Sequence, residues 1–148
     1  MNFPFLLGLI VTASFLLSIP PAEVLALTPA QVYDKVKDSV VVVKSLDSRG
    51  KEMSQGSGVI LPSGKIATNC HVVEGGVSYL VGRGKKFVPS AYYGGDADKD
   101  VCLLEARGLS GKPAQPGRTG DLKVGVPVYA VGAPQGLELS ISDGIVSQ

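Results

Sequence analysis

Beyond a long apolar opening, short runs of Val, Ile and Leu alternate with turn-forming clusters at roughly ten-residue intervals, the spacing of strands in an all-β barrel or sandwich. The runs are "SGVIL", "KIAT", "VSYLV", "FVPSAYY", "VCLLEA", "VPVYAVG" and "LELSISDGIVS". Between them lie "PSG", "EGG", "GRGKK" and "GGDADKD". Pro62-Ser63-Gly64 between "VIL" and "KIA" predicts a tight hairpin. No helical period competes across this region.

A short helix precedes the strands. In "TPAQVYDKVKDS", Thr28 is placed as N-cap, Pro29 at the first helical position and Gln31 as the return arm of a capping box. Val32 and Val36 then share a face. Val40 to Leu46, "VVVVKSL", is β-branched enough to be a buried strand. The stretch from Gly108 to Gly125, rich in Gly and Pro and without period, reads as a linker.

The opening "MNFPFLLGLIVTASFLLSIPPAEVLA" carries no charged side chain before Glu23 and has the outline of a secretory signal. Val24 and Ala26 supply the small residues that place cleavage after Ala26. A retained N-terminal anchor is the alternative, although the apolar run is marginal for crossing a bilayer. Removing residues 1–26 takes three of the four phenylalanines, leaving Phe87 and a core built from Val, Ile, Leu and Tyr. Such a core favours strands. Export also implies an oxidising compartment, in which the two cysteines can pair. Lys plus Arg number 14 and Asp plus Glu 13, with no run of either sign, so nothing marks a nucleic-acid partner or an anionic membrane surface.

Three segments in order, "GSGVILPSGKIATNCHVVEGG", "DADKDVCLLEA" and "VGVPVYAVGAPQGLELSISDGIVSQ", resemble the trypsin-like (chymotrypsin-fold) serine proteases, nearest the bacterial periplasmic HtrA/Deg branch. The shared signatures are G-S-G-hydrophobic, T-N-x-H-V, D-hydrophobic-x-L-L, and G-x-P-x-G before a G-x-V-S strand. The resemblance implies an antiparallel β-barrel over residues 27–107 with its N-terminal helix, the linker at 108–125, and the first strands of an incomplete second barrel at 126–148. It further implies that His71 is the general base and that Asp100 orients it.

The chemistry agrees with those roles. A hydroxyl nucleophile is weak near neutral pH and needs an adjacent base with a proton affinity like that of imidazole. A carboxylate on the other ring nitrogen fixes the tautomer. Asp96 and Asp98 are rivals in a polar loop expected only to face solvent, whereas Asp100 directly precedes an apolar strand and is expected to be buried. A metal site at Cys70 and His71 lacks the three or four spaced ligands it would need. If His71 meets Asp100, then Cys70 and Cys102 come within reach of each other, and a Cys70–Cys102 disulfide is expected. Two buried free thiols are the alternative.

The family's nucleophile lies in a G-N-S-G-G loop that these 148 residues do not contain. Ser57 falls at a strand start upstream of the histidine, and Ser63 and Ser110 in turns, so none takes its place. The expected reading is therefore the N-terminal portion of a secreted or periplasmic serine endopeptidase acting on proteins or peptides. It would need no cofactor, would leave the membrane after signal cleavage, and would be inactive alone. Its open second-barrel edge invites self-association. The competing reading is a non-catalytic module that binds peptides or a partner. An ordinary barrel matching by accident is disfavoured by three ordered motifs and a secretory signal.

Overall fold

The computed structural model describes residues 27–133 and 139–147. The expected signal segment and residues 134–138, which include the first two residues of the last expected apolar run, lie outside the described residues. The chain opens with helix α1, Pro29–Val36, where Thr28 and Gln31 form the reciprocal capping box. A 3-10 turn at Lys37–Ser39 delivers it to the first strand.

Six strands follow: β1 Val40–Leu46, β2 Glu52–Ile60, β3 Ile66–Thr68, β4 Ser78–Arg83, β5 Lys86–Asp96 and β6 Val101–Ala106. They close into an antiparallel barrel of order β1-β2-β3-β6-β5-β4, with β4 pairing back onto β1. The fold is thus all-β with one short N-terminal helix, as its strand rhythm implied. The β2–β3 hairpin turns through Pro62-Ser63-Gly64, closed by Leu61 N–H donating to the Lys65 carbonyl at 2.8 Å.

The core explains the valine run. Val41 and Val43 point into the barrel against Val81, Ile66 and Leu104, and all five are fully buried. Burying each such side chain stabilises the fold by roughly 1.5–3 kcal/mol. Val40 and Val42, on the opposite face of β1, are also buried although they lie outside that cluster. Hence β1 reads as a continuous apolar run rather than an alternating one.

Two glycines in "QGSGV" let other elements approach. A Cβ at Gly56 would lie 2.5 Å from Val72, and one at Gly58 would lie 2.6 Å from Ile66. Close backbone approach of this kind is what glycine in a strand interior permits.

Three expectations need correction. Strand β2 begins at Glu52, five residues before "SGVIL", because "EMSQG" pairs with β1 from Leu46 to Val43 although it is mostly polar and without an apolar alternation. Gly94, Gly95 and Asp96 belong to β5 rather than to a turn, pairing with Leu103, Cys102 and Val101 after a bulge at Tyr93. And the residues after β3 are not a simple strand end: Cys70–Val73 forms a single helical turn, α2.

After β6 the chain runs through residues 107–126 with only a 3-10 turn at Thr119–Asp121. Its first half is held to the barrel, with Lys112 N–H donating to the Asp38 carbonyl at 3.0 Å and Ala114 N–H to that of Ile60 at 2.8 Å. Arg83 adds a clamp from the barrel side, donating to the carbonyls of Lys37, Asp38, Val40 and Ser110. Strands β7, Pro127–Gly132, and β8, Ser140–Ile145, then pair as a separate two-stranded sheet. Among the described residues no helix is long and apolar enough to cross a membrane.

Candidate active site

The site forms where β3 hands over to α2. Val72 and Val73 are each 4% exposed and anchor the helical turn in the core, Cys70 packs against the core's edge, and His71 is left on the outer side. One turn of helix has N–H groups without an intrahelical acceptor. The His71 N–H is one of them, and it donates to Asp100 Oδ1 at 3.0 Å.

Asp100 comes from the opposite side, at the end of the β5–β6 turn. Its φ of 53° makes it the one non-glycine residue with a left-handed backbone among the described residues. That conformation costs an L-residue roughly 1–2 kcal/mol, least for Asp and Asn. The Asp100 N–H donates to the Ala97 carbonyl at 3.1 Å, closing the turn. Held this way, its carboxylate faces α2. Asp100 Oδ2 lies 2.7 Å from His71 Nδ1 and accepts from Asn69 Nδ2 at 3.0 Å.

Three donors on one carboxylate favour its charged form. The His71 backbone N–H does most to hold the Asp100 carboxyl below its ordinary value, aided by the His71 ring, Asn69 and the histidine's charge, and opposed by partial desolvation. An ionised carboxylate only accepts hydrogen bonds, so Nδ1 must be the donor and the neutral ring is left with a free Nε2 lone pair. Among the described residues nothing hydrogen-bonds Nε2. The His71 side chain is 67% exposed. The ring is thus oriented through Nδ1, and its Nε2 is left open.

Asp100 was expected to be buried. Its side chain is instead 41% exposed, because it ends a surface turn and does not enter β6. Its rival Asp96 does not merely face solvent: its carboxylate holds Lys99 Nζ at 2.6 Å and Lys99 N–H at 3.1 Å, and Lys99 draws the Asp96 carboxyl below its ordinary value. Asp98 is exposed.

Cys70 and Cys102 are bonded to each other, with Cα atoms 4.9 Å apart. Strand β5 makes room for the sulfurs, since a Cβ at Gly95 would lie 2.6 Å from Cys102 Sγ. Among the described residues no three His, Cys, Asp or Glu side chains gather where a metal could be held. The disulfide, His71 and Asp100 line a pocket of about 630 Å³ whose other walls include Tyr79, Tyr92 and Glu74.

The serines lie elsewhere. Ser57 Oγ accepts from the Ala133 N–H at 2.8 Å, tying β2 to the end of β7. Ser63 sits in the β2–β3 turn, and Ser110 offers its carbonyl to Arg83. Asn69 was the residue that sequence reasoning passed over. Its place in T-N-x-H-V marked it, but nothing in the sequence says where its side chain turns.

A closed barrel that brings a histidine from the turn after β3 onto an aspartate from the turn before β6 is an arrangement consistent with a trypsin-like peptidase domain. The profile of the trypsin-like peptidase domain matches residues 56–148, and the chain belongs to that family. Its relatives place it on the HtrA/Deg branch. It is 36% identical to serine protease PepD of Mycobacterium tuberculosis over 93% of this chain and 32% of that protein. With a DegP-like periplasmic serine endoprotease of Pseudomonas savastanoi it shares 37% identity over 68% of this chain and 22% of the relative. The anti-sigma-I factor RsgI9 of Acetivibrio thermocellus is 33% identical over 74% of this chain and 16% of its own length. The chain therefore spans about a third or less of the curated relatives it matches.

Proposed function

We propose that this chain carries the base and the orienting carboxylate of a secreted or periplasmic serine endopeptidase. His71 takes the proton of a serine hydroxyl through Nε2, and Asp100 holds the ring and stabilises the imidazolium that forms. The single observation behind this reading is the contact of His71 Nδ1 with Asp100 Oδ2 at 2.7 Å, with Nε2 left open. The substrates are proteins or peptides, and the chemistry needs no cofactor. Relatives named as periplasmic endoproteases support both the reaction class and the compartment.

No described serine hydrogen-bonds His71, so the hydroxyl and the oxyanion donors come from outside this pair of elements. We infer that residues 27–148 by themselves do not hydrolyse peptides. The domain division follows the same logic, with the barrel at 27–107 carrying the diad, 108–125 a connection whose first half is held against the barrel, and 126–148 starting a second barrel. Exposed Leu122, Val124, Val126 and Ile145 around the β7–β8 ribbon support its pairing with further strands, of the same polypeptide or of a second copy.

A non-catalytic binding module is the second reading, favoured by the likeness to a protein named as an anti-sigma factor. Casein hydrolysis by the protein as its host makes it, together with its intact mass, separates the two. Peptidase activity that falls on the order of 10⁴-fold in Asp100→Asn and about 10⁶-fold in His71→Ala is the expected result. Activity indifferent to His71→Ala overturns the proposal. An inactive protein whose mass is that of residues 27–148 less two hydrogens gives the function to the binding module.

A further inference from the structure

Asn69 occupies the N-cap position of α2 in an extended conformation, where an asparagine ordinarily turns its side-chain oxygen back onto the helix's own free N–H groups. It does not do so here: its side chain makes no capping hydrogen bond. The amide instead reaches across to the β5–β6 turn. Asn69 Nδ2 donates to the backbone carbonyl of Asp100 at 3.1 Å and to its Oδ2 at 3.0 Å. Both partners are acceptors, so the amide must present its NH₂ end, and the assignment of its two ends is fixed by the site itself.

We propose that Asn69 is a positioning residue for the diad. One NH₂ group spans the main chain and the side chain of a single residue, which fixes the Asp100 carboxylate relative to its own backbone. That backbone is the left-handed one, at φ 53°, which an aspartate does not prefer. Oδ2, the oxygen Asn69 holds, is the oxygen that meets His71 Nδ1. Without the amide, the turn can relax and the carboxylate can rotate, and the tautomer of His71 is no longer imposed. Both side-chain hydrogen bonds of Asn69 go to Asp100 and none to the His71 ring, so it acts through Asp100.

The inference rests on the proposed role of His71, but its test needs no turnover. His71 is the only histidine in 148 residues, so the ring nitrogens of the ¹⁵N-labelled full chain give one set of signals. At neutral pH the unsubstituted protein is expected to show the proton on Nδ1. Asn69→Ala removes both donors; Asn69→Asp keeps the shape and a good N-cap oxygen but sets a second carboxylate against Asp100. Both are expected to turn the single Nδ1–H tautomer into a mixture, with the amide spectrum of the barrel unchanged. Retention of the single Nδ1–H form in either variant overturns the inference, and so does general loss of the barrel's amide dispersion, since the role is then structural. A chain that shows no peptidase activity still answers the question, so failure of the proposed function and failure of this inference are told apart.

Discussion

Cys70 and Cys102 are bonded across a Cα–Cα distance of 4.9 Å, which fastens the residue before His71 to the residue two beyond Asp100. The two elements of the diad thus share a covalent tie as well as their hydrogen bonds. Strand β3 pairs Thr68 with Cys102, so the bond continues a register that the barrel already sets.

Reduction should therefore loosen the barrel at the site. The bond closes a loop of 32 residues, for which chain entropy alone gives about 3–4 kcal/mol of stabilisation. A Cys70→Ala, Cys102→Ala protein is expected to unfold at a markedly lower denaturant midpoint than the oxidised protein, and added reductant should bring the unsubstituted protein to the same place. Coincident midpoints for oxidised and reduced protein would contradict this.

Acid should unfold the protein partly through Asp100. Its folded carboxyl lies below the ordinary value, the His71 N–H being the main cause. In the unfolded chain it titrates at about 3.9. The stabilisation it brings is present above that unfolded value and is lost as pH falls through the lower folded one, because in that window only the unfolded chain binds the proton. Stability measured by denaturant from pH 6 downward should fall less steeply in this window for Asp100→Asn. Asp96, held low by Lys99, contributes in the same direction and remains in both proteins.

Gly95→Ala is expected to damage the site from behind. The new methyl group would meet Cys102 Sγ at 2.6 Å and the Val101 carbonyl at 2.9 Å, and the second of these is backbone that cannot swing away. Overpacking of this kind costs typically about 1–3 kcal/mol. Thermal unfolding should shift accordingly, and the Cys70–Cys102 bond should be reduced at a lower concentration of added dithiol than in the unsubstituted protein.

Much of this architecture was legible from residue order. Val40 to Val43 could only be a buried strand, Thr28 with Gln31 marked the start of α1, and Pro62-Ser63-Gly64 closed the hairpin where expected. What was hidden depended on partners far along the chain. Gly94-Gly95 reads locally as a turn, yet both pair with β6, and Gly95 is glycine where a Cβ would meet Cys102 Sγ. The turn Cys70–Val73 is too short to carry a helical period; the burial of Val72 and Val73 makes it. The polar residues at the start of β2 gave no strand signal because their pairing with β1 is made by backbone. Asp100 and Asn69 show the limit most clearly, since a left-handed φ and an amide turned away from its own helix are set by tertiary contacts.

Arg83 tests whether the stretch after β6 is a free connection. Its guanidinium donates to carbonyls of the 3-10 turn, the start of β1 and Ser110, which brings the beginning and the exit of the barrel to one cation. Hydrogen bonds to a charged group contribute roughly 1.5–3 kcal/mol each, and bonds sharing one side chain are not additive. Arg83→Met keeps most of the apolar stem and removes the donors, leaving several carbonyls to find water. The expected loss is therefore about 2–3 kcal/mol, with the change concentrated after Ala106. Hydrogen exchange should quicken most at the amides of Lys112 and Ala114, which bond to Asp38 and Ile60 beside the clamp. Unchanged protection there would mean that those two backbone bonds hold the segment by themselves, and Arg83 would then serve only the turn between α1 and β1.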